Sequence, residues 1–153
     1  MKITEILTAD MVMAEVGGTT KSQVLRELAR PLANKYRDLD LAGIIAVLAE
    51  RERLGSTAIG DGIAIPHGKM PGVRQILGTF GRHRQGVDFE SLDGRPTHLF
   101  FALVAPEDST SLHLKALARV SRLFKDGPFR ERLMAAKDAE EIYRLILEED
   151  ARH

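Results

Sequence analysis

The 153-residue sequence has no cysteine and no tryptophan, and only 5% of its residues are aromatic. Without cysteine the chain forms no disulfide scaffold, offers no thiolate to a metal and lacks a cysteine nucleophile. An excess of either charge is also missing: 22 Lys and Arg balance 22 Asp and Glu, for a formal net charge of +0. A nucleic-acid binder usually carries a basic excess that displaces counterions from phosphates, so no nucleic-acid partner is expected. No apolar run approaches the ~20 residues that cross a bilayer. Met1-Lys2-Ile3-Thr4-Glu5 introduces charge too early for a leader peptide. A cytoplasmic protein without direct membrane insertion is therefore expected. Hydrophobic residues make up 44% and charged residues 29%, which excludes disorder as the dominant state. A chain of this length should fold as one domain over 1–153, burying about 68–70% of the surface its unfolded form exposes.

Helices are predicted near both ends. Thr19 or Thr20 can cap a helix from about Lys21 to Tyr36, with Val24, Leu25, Leu28 and Leu32 at helical spacing. Pro31 lies inside that pattern and is expected to kink or split it. Asp40 can cap a second helix with the stripe Leu41, Ile44, Ile45, Leu48, which ends at Gly55. The middle reads as strands: Met11–Val16 weakly, then Gln75–Arg82, a short Val87–Phe89, and the almost continuously apolar Thr97–Val104. That last run suits a strand buried on both faces. From Ser111 the chain is helical again, with a break at Asp126-Gly127-Pro128 and a last helix capped by Asp138. The pattern implies an α/β fold: a mixed central β-sheet flanked by helices on both faces.

The unusual segment is Gly55 to Lys69, GSTAIGDGIAIPHGK. Its glycines permit tight turns and close approach of backbone to a ligand. It does not fit the common phosphate loops. A dinucleotide fingerprint beginning at Gly60 would need glycine at Ile65, and a phosphate loop ending at Gly68-Lys69 would need glycine at Ile63 and Ser or Thr at Met70. Neither a Gly-x-Ser-x-Gly elbow nor a His-Glu-x-x-His helix occurs. Ser56, His67 and Asp61 make only a coincidental hydrolase triad. His67 remains, held between Pro66 and Gly68; a neutral imidazole is a good nucleophile near pH 7.

His113 follows a run of N-capping residues and aligns with Leu117, Val120 and Phe124, so it should point inward from the first turn of its helix. There it would be a hydrogen-bonded core histidine or, beside free helix amides, a phosphate ligand. Arg51 lies at the end of the Leu41 helix. It can clamp a phosphoryl group with its forked donors or sit in a weak surface ion pair with Glu50 or Glu52. His83, His98 and His153 read as structural or solvated. Spacing alone does not bring Arg51, His67 and His113 together.

These residues resemble a known family. Arg51-Glu52-Arg53-Leu54-Gly55-Ser56-Thr57 followed by Ile59-Gly60-Asp61-Gly62-Ile63-Ala64-Ile65-Pro66-His67-Gly68-Lys69 is similar to the active-site signature of EIIA proteins of the bacterial phosphotransferase system. The branch is the fructose/mannitol type, and the Gly-Ser-Thr and His-Gly-Lys details look most like the nitrogen-regulatory EIIA. The likeness extends over nearly the whole chain. It implies a phosphotransferase component in which His67 accepts a phosphoryl group from an HPr-like phosphocarrier, forming a tele-phosphohistidine. His113 and Arg51 match the family's stabilising residues, and Ser56, Thr57 and Gly68 are weaker phosphate-binding candidates. No metal or other cofactor is implied. The acceptors would be regulatory targets or, in a sugar-transport EIIA, an EIIB domain. A non-catalytic protein-binding module is a further alternative. Ile59, Ile63 and Met70 are candidates for an apolar docking rim.

Overall fold

A computed structural model describes the whole chain, Met1–His153. Six strands form one mixed sheet: β1 (Val12–Met13), β2 (Ala58–Gly60), β3 (Ile63–Ala64), β4 (His67–Lys69), β5 (Leu77–Val87) and β6 (Thr97–Ala105). Five helices accompany them: α1 (Lys21–Lys35), α2 (Leu41–Arg53), α3 (Thr110–Phe124), α4 (Gly127–Ala135) and α5 (Ala139–Ala151). The strand order is β1-β5-β6-β3-β2, with β4 also paired to β6. The β1–β5, β3–β6 and β4–β6 pairs are parallel, and β5–β6 and β2–β3 are antiparallel.

The apolar run from Leu99 to Ala105 is the centre of this sheet, paired along both edges and buried throughout. Helices cover both faces, as side-chain alternation along β5 shows. Thr79 donates its hydroxyl to the Leu28 carbonyl of α1 at 2.9 Å, and a Cβ on Gly81 would meet the Leu28 side chain. Phe80, pointing the other way, stacks on Phe124 of α3 with centroids 5.9 Å apart. No helix is long and apolar enough to cross a membrane.

Helix starts follow the expected caps at Thr20, Asp40 and Asp138, and Asp126, expected only as part of a break, caps α4; each accepts a bond from a backbone N–H three residues on. Three expectations change. Pro31 does not split α1, which runs unbroken to Lys35. The missing N–H removes one bond, four residues before the end, while Val24, Leu25, Leu28, Ala29 and Leu32 remain buried on the same helix. The early strand shrinks to Val12–Met13. Of the separate strand expected at Val87–Phe89 only Val87 is in a strand, as the last residue of β5, which carries an irregularity between Arg82 and Val87 where Gly86 takes φ +88°.

Candidate phosphoryl-transfer site

The site is built where β3 and β4 share one edge of β6. Ile63 and Ala64 pair with Leu99 and Phe100, and His67 to Lys69 with Leu103 to Ala105. Between them the ladder is interrupted at Ile65-Pro66. The Ile65 N–H turns to the Thr57 carbonyl, and Pro66, which has no N–H to satisfy, accepts from Leu103 through its carbonyl. Side chains then alternate along β4. A Cβ on Gly68 would lie 2.3 Å from Val47 Cγ1 of α2, so Gly68 lets α2 pack directly against the strand. His67 and Lys69 point to the opposite face.

That face belongs to α3. His113, in its first turn, is buried, and its ring lies 5.3 Å from that of His67, tilted by 50°. His67 Nδ1 is 2.7 Å from the Ile65 carbonyl oxygen. A carbonyl only accepts, so Nδ1 carries the proton and Nε2 keeps the lone pair. Burial holds the His67 pKa below its ordinary value; the Ile65 bond opposes this and the nearby Arg51 charge adds to it. His113 is pushed down to about 4, by burial first and then by the charges of His67 and Lys69. Both imidazoles are therefore neutral near pH 7. His113 Nδ1 is buried without a hydrogen-bond partner.

Arg51, in the last turn of α2, donates from Nη1 to the Gly55 carbonyl at 2.8 Å. The ion pairs anticipated with Glu50 or Glu52 do not form. Glu50 pairs with Arg53 at 3.0 Å and Glu52 with Lys21 at 3.1 Å, leaving Arg51 without a carboxylate partner. Ser56 and Thr57 have hydroxyls engaged inside the loop. Ser56 donates to the Phe89 carbonyl, and Thr57 bonds through both N–H and hydroxyl to the buried Glu52 carboxylate. Of the apolar rim candidates, Ile59 is exposed, whereas Ile63 and Met70 belong to the core. Leu54, Leu112 and Leu114 are exposed on the elements that carry Arg51 and His113.

Glu52, expected only as a surface partner of Arg51, and Lys21 and Lys69, with no expected role in the site, all make bonds around it. Glu52 is the hub of the loop: it holds Thr57 and Lys21, and Lys21 in turn reaches Glu90 at 2.9 Å. Its sequence looked like one more charge in Glu50-Arg51-Glu52-Arg53, and only tertiary packing separates the buried member from the exposed ones. Lys69 Nζ donates to Thr110 Oγ1 at 2.6 Å. The available signal was its position two residues after His67 on a strand. A surface cavity of about 630 Å³ beside Asp10, Glu27 and Pro31 lies away from both histidines.

The family model described as "Phosphoenolpyruvate-dependent sugar phosphotransferase system, EIIA 2" matches residues 5–149. The chain is 42% identical over 146 residues to a nitrogen regulatory protein of Bradyrhizobium diazoefficiens, covering 95% of each sequence. It is 37% identical over 150 residues to the fructose-specific EIIABC component of Bacillus subtilis, matching 98% of this chain and 24% of that protein. The crystal structure of nitrogen regulatory protein IIA-Ntr from Neisseria meningitidis superposes with a TM-score of 0.88 at 36% identity, covering 94% of this chain and 98% of that one.

Proposed function

Because the chain belongs to the EIIA 2 family of the phosphoenolpyruvate-dependent sugar phosphotransferase system, we propose that it is a cytoplasmic phosphocarrier of the nitrogen-regulatory kind, with His67 as the phosphoryl acceptor. One observation carries this reading: the Ile65 carbonyl holds the His67 proton on Nδ1, which leaves the Nε2 lone pair free on the face shared with His113.

The transfer runs from a phosphohistidine on an HPr-like carrier. His67 Nε2 attacks phosphorus in line; the new N–P bond forms as the donor's N–P bond breaks, and that electron pair returns to the donor imidazole. The proton stays on His67 Nδ1, still donated to the Ile65 carbonyl oxygen, which compensates the positive charge that develops on the ring. Such a transition state is loose, so positioning and charge stabilisation do most of the work. Arg51, with no carboxylate to neutralise it, and neutral His113, donating through its ring N–H, are the groups for the phosphoryl oxygens. Ser56 and Thr57 act through the loop they hold, and Gly68 through the close approach of α2. The exposed Leu54, Ile59, Leu112 and Leu114 supply an apolar surface around a shallow site, as a protein partner requires.

Phosphorylation adds about −1.5 to −2 charges to a neutral chain and changes which partners that surface accepts. The nitrogen regulatory relatives support a regulatory output. The fructose-specific EIIABC relative supports a second reading, in which the phosphoryl group passes to an EIIB domain. Incubation with a phosphorylated HPr-like carrier tests both. One acid-labile phosphate is expected on Nε2 of His67, absent in His67→Ala. Labelling of another residue, or none, overturns the assignment. Rapid loss of the label to an EIIB domain favours transport over regulation.

A further inference from the structure

Lys69 has no carboxylate within ion-pair distance and lies on the same strand face as His67. Alternate residues of a strand are about 7 Å apart along the chain, within the sweep of a lysine side chain. Its charge is already felt at His113. Yet its ammonium is spent on a neutral, exposed hydroxyl, that of Thr110, the first residue of α3.

That bond matters because of how α3 begins. The other four helices have side-chain N-caps. Ser109, at the corresponding position of α3, makes no such bond and turns its hydroxyl to the Pro106 carbonyl at 2.7 Å. The first turn of α3 is therefore tied sideways, by Lys69, to the strand that carries His67. Further along, the same helix is clamped by Arg119, buried against the Asp150 carboxylate and donating from Nη1 to the His153 carbonyl. Any loosening is confined to the turn that displays Leu112 and Leu114.

Building on the assignment of His67 as the phosphoryl acceptor, we propose that Lys69 is a phosphoryl-binding residue that exchanges Thr110 for the phosphohistidine, so that phosphorylation untethers the first turn of α3. A bond from the Lys69 ammonium to a phosphoryl oxygen adds an attraction between opposite charges that its bond to the neutral Thr110 hydroxyl lacks, and the hydroxyl left behind is solvated at little cost because Thr110 is exposed. No covalent bond changes in the exchange. Its outcome is a local change in the apolar patch beside the site, which lets a partner distinguish the two forms by shape as well as by charge.

Amide hydrogen exchange at His113 and Leu114, measured on the full chain with and without the His67 phosphate, tests this. Phosphorylation is expected to speed exchange there severalfold, with no change at Val120 or Leu123. Thr110→Val is expected to give the same acceleration in the unphosphorylated protein, and phosphorylation should then add little. Lys69→Met should slow phosphoryl acceptance about tenfold, and Lys69→Arg, which keeps the charge, should restore it. Full labelling of His67 with unchanged exchange, or Thr110→Val with unchanged exchange, overturns the proposal. Absence of His67 labelling overturns the acceptor assignment itself, so the two failures are distinguishable.

Discussion

Arg82 and Arg51 stand at opposite ends of what an arginine does in this fold. Arg82 is fully buried on β5, where it donates to the carbonyls of Ala14, Leu133 and Ala136, with Glu15 at 3.5 Å. It joins the segment after β1 to the end of α4, whose last carbonyls have no other cap. Arg51 is half-buried, makes one bond to the loop it helps to shape, and has no acid beside it. One guanidinium is buried and tied through Nε and Nη1 to the protein's own backbone, and the other is partly exposed with a single backbone bond. Histidines show the same contrast. His98 and His67 each bond a main-chain carbonyl through Nδ1, but only His67 faces a second imidazole within 5.3 Å. The roles proposed for Arg51 and His67 rest on what surrounds each side chain, rather than on its type.

That contrast can be broken from either side. Arg82→Ala should cost about 3–5 kcal/mol in urea unfolding, because it strands buried carbonyls and leaves a cavity, while His67 in the surviving folded protein still accepts phosphate. Arg51→Ala should do the reverse: phosphoryl acceptance falls about 10²–10³-fold, with a melting shift of no more than a few degrees. Equal loss of stability in both variants would erase the distinction. Gly68→Ala forces a methyl against Val47 Cγ1 and should cost about 1–3 kcal/mol, slowing acceptance only as far as β4 moves. The smallest effect concerns pH. Folding depresses the His113 pKa to about 4, from about 6.5 in the unfolded chain. The unfolded state therefore binds the proton first. The stabilisation is complete above about pH 6.5 and is lost as pH falls toward 4, by about 1–2 kcal/mol. His113→Asn should flatten that slope in a denaturation series; an unchanged slope would assign the acid sensitivity elsewhere.

Much of the fold was legible because its signals are local. Thr20, Asp40 and Asp138 cap helices where capping residues precede helical stripes. The central strand was visible because a run buried on both faces has no polar alternation to hide it. Pro31 misled, since a proline near a helix end costs one bond that tertiary packing of the same helix offsets. In the site, the signature Gly55 to Lys69 singled out His67, and helical spacing turned His113 inward. The partners of Arg51 could not be read, because Glu50, Glu52 and Arg53 are equivalent neighbours in sequence and unequal only once Glu52 is buried beneath Thr57.

The amino-acid sequence by itself determined the class of fold, the family it resembles and which histidine is proposed as the acceptor, because periodicity, caps and a contiguous motif are properties of neighbouring residues. Only the tertiary structure decided which histidine nitrogen is free, which cations lack an acid, and that Lys69 ties β4 to the uncapped start of α3. Each of these depends on the hydrogen bonds and charges that residues far apart in the chain exchange once they share one buried edge.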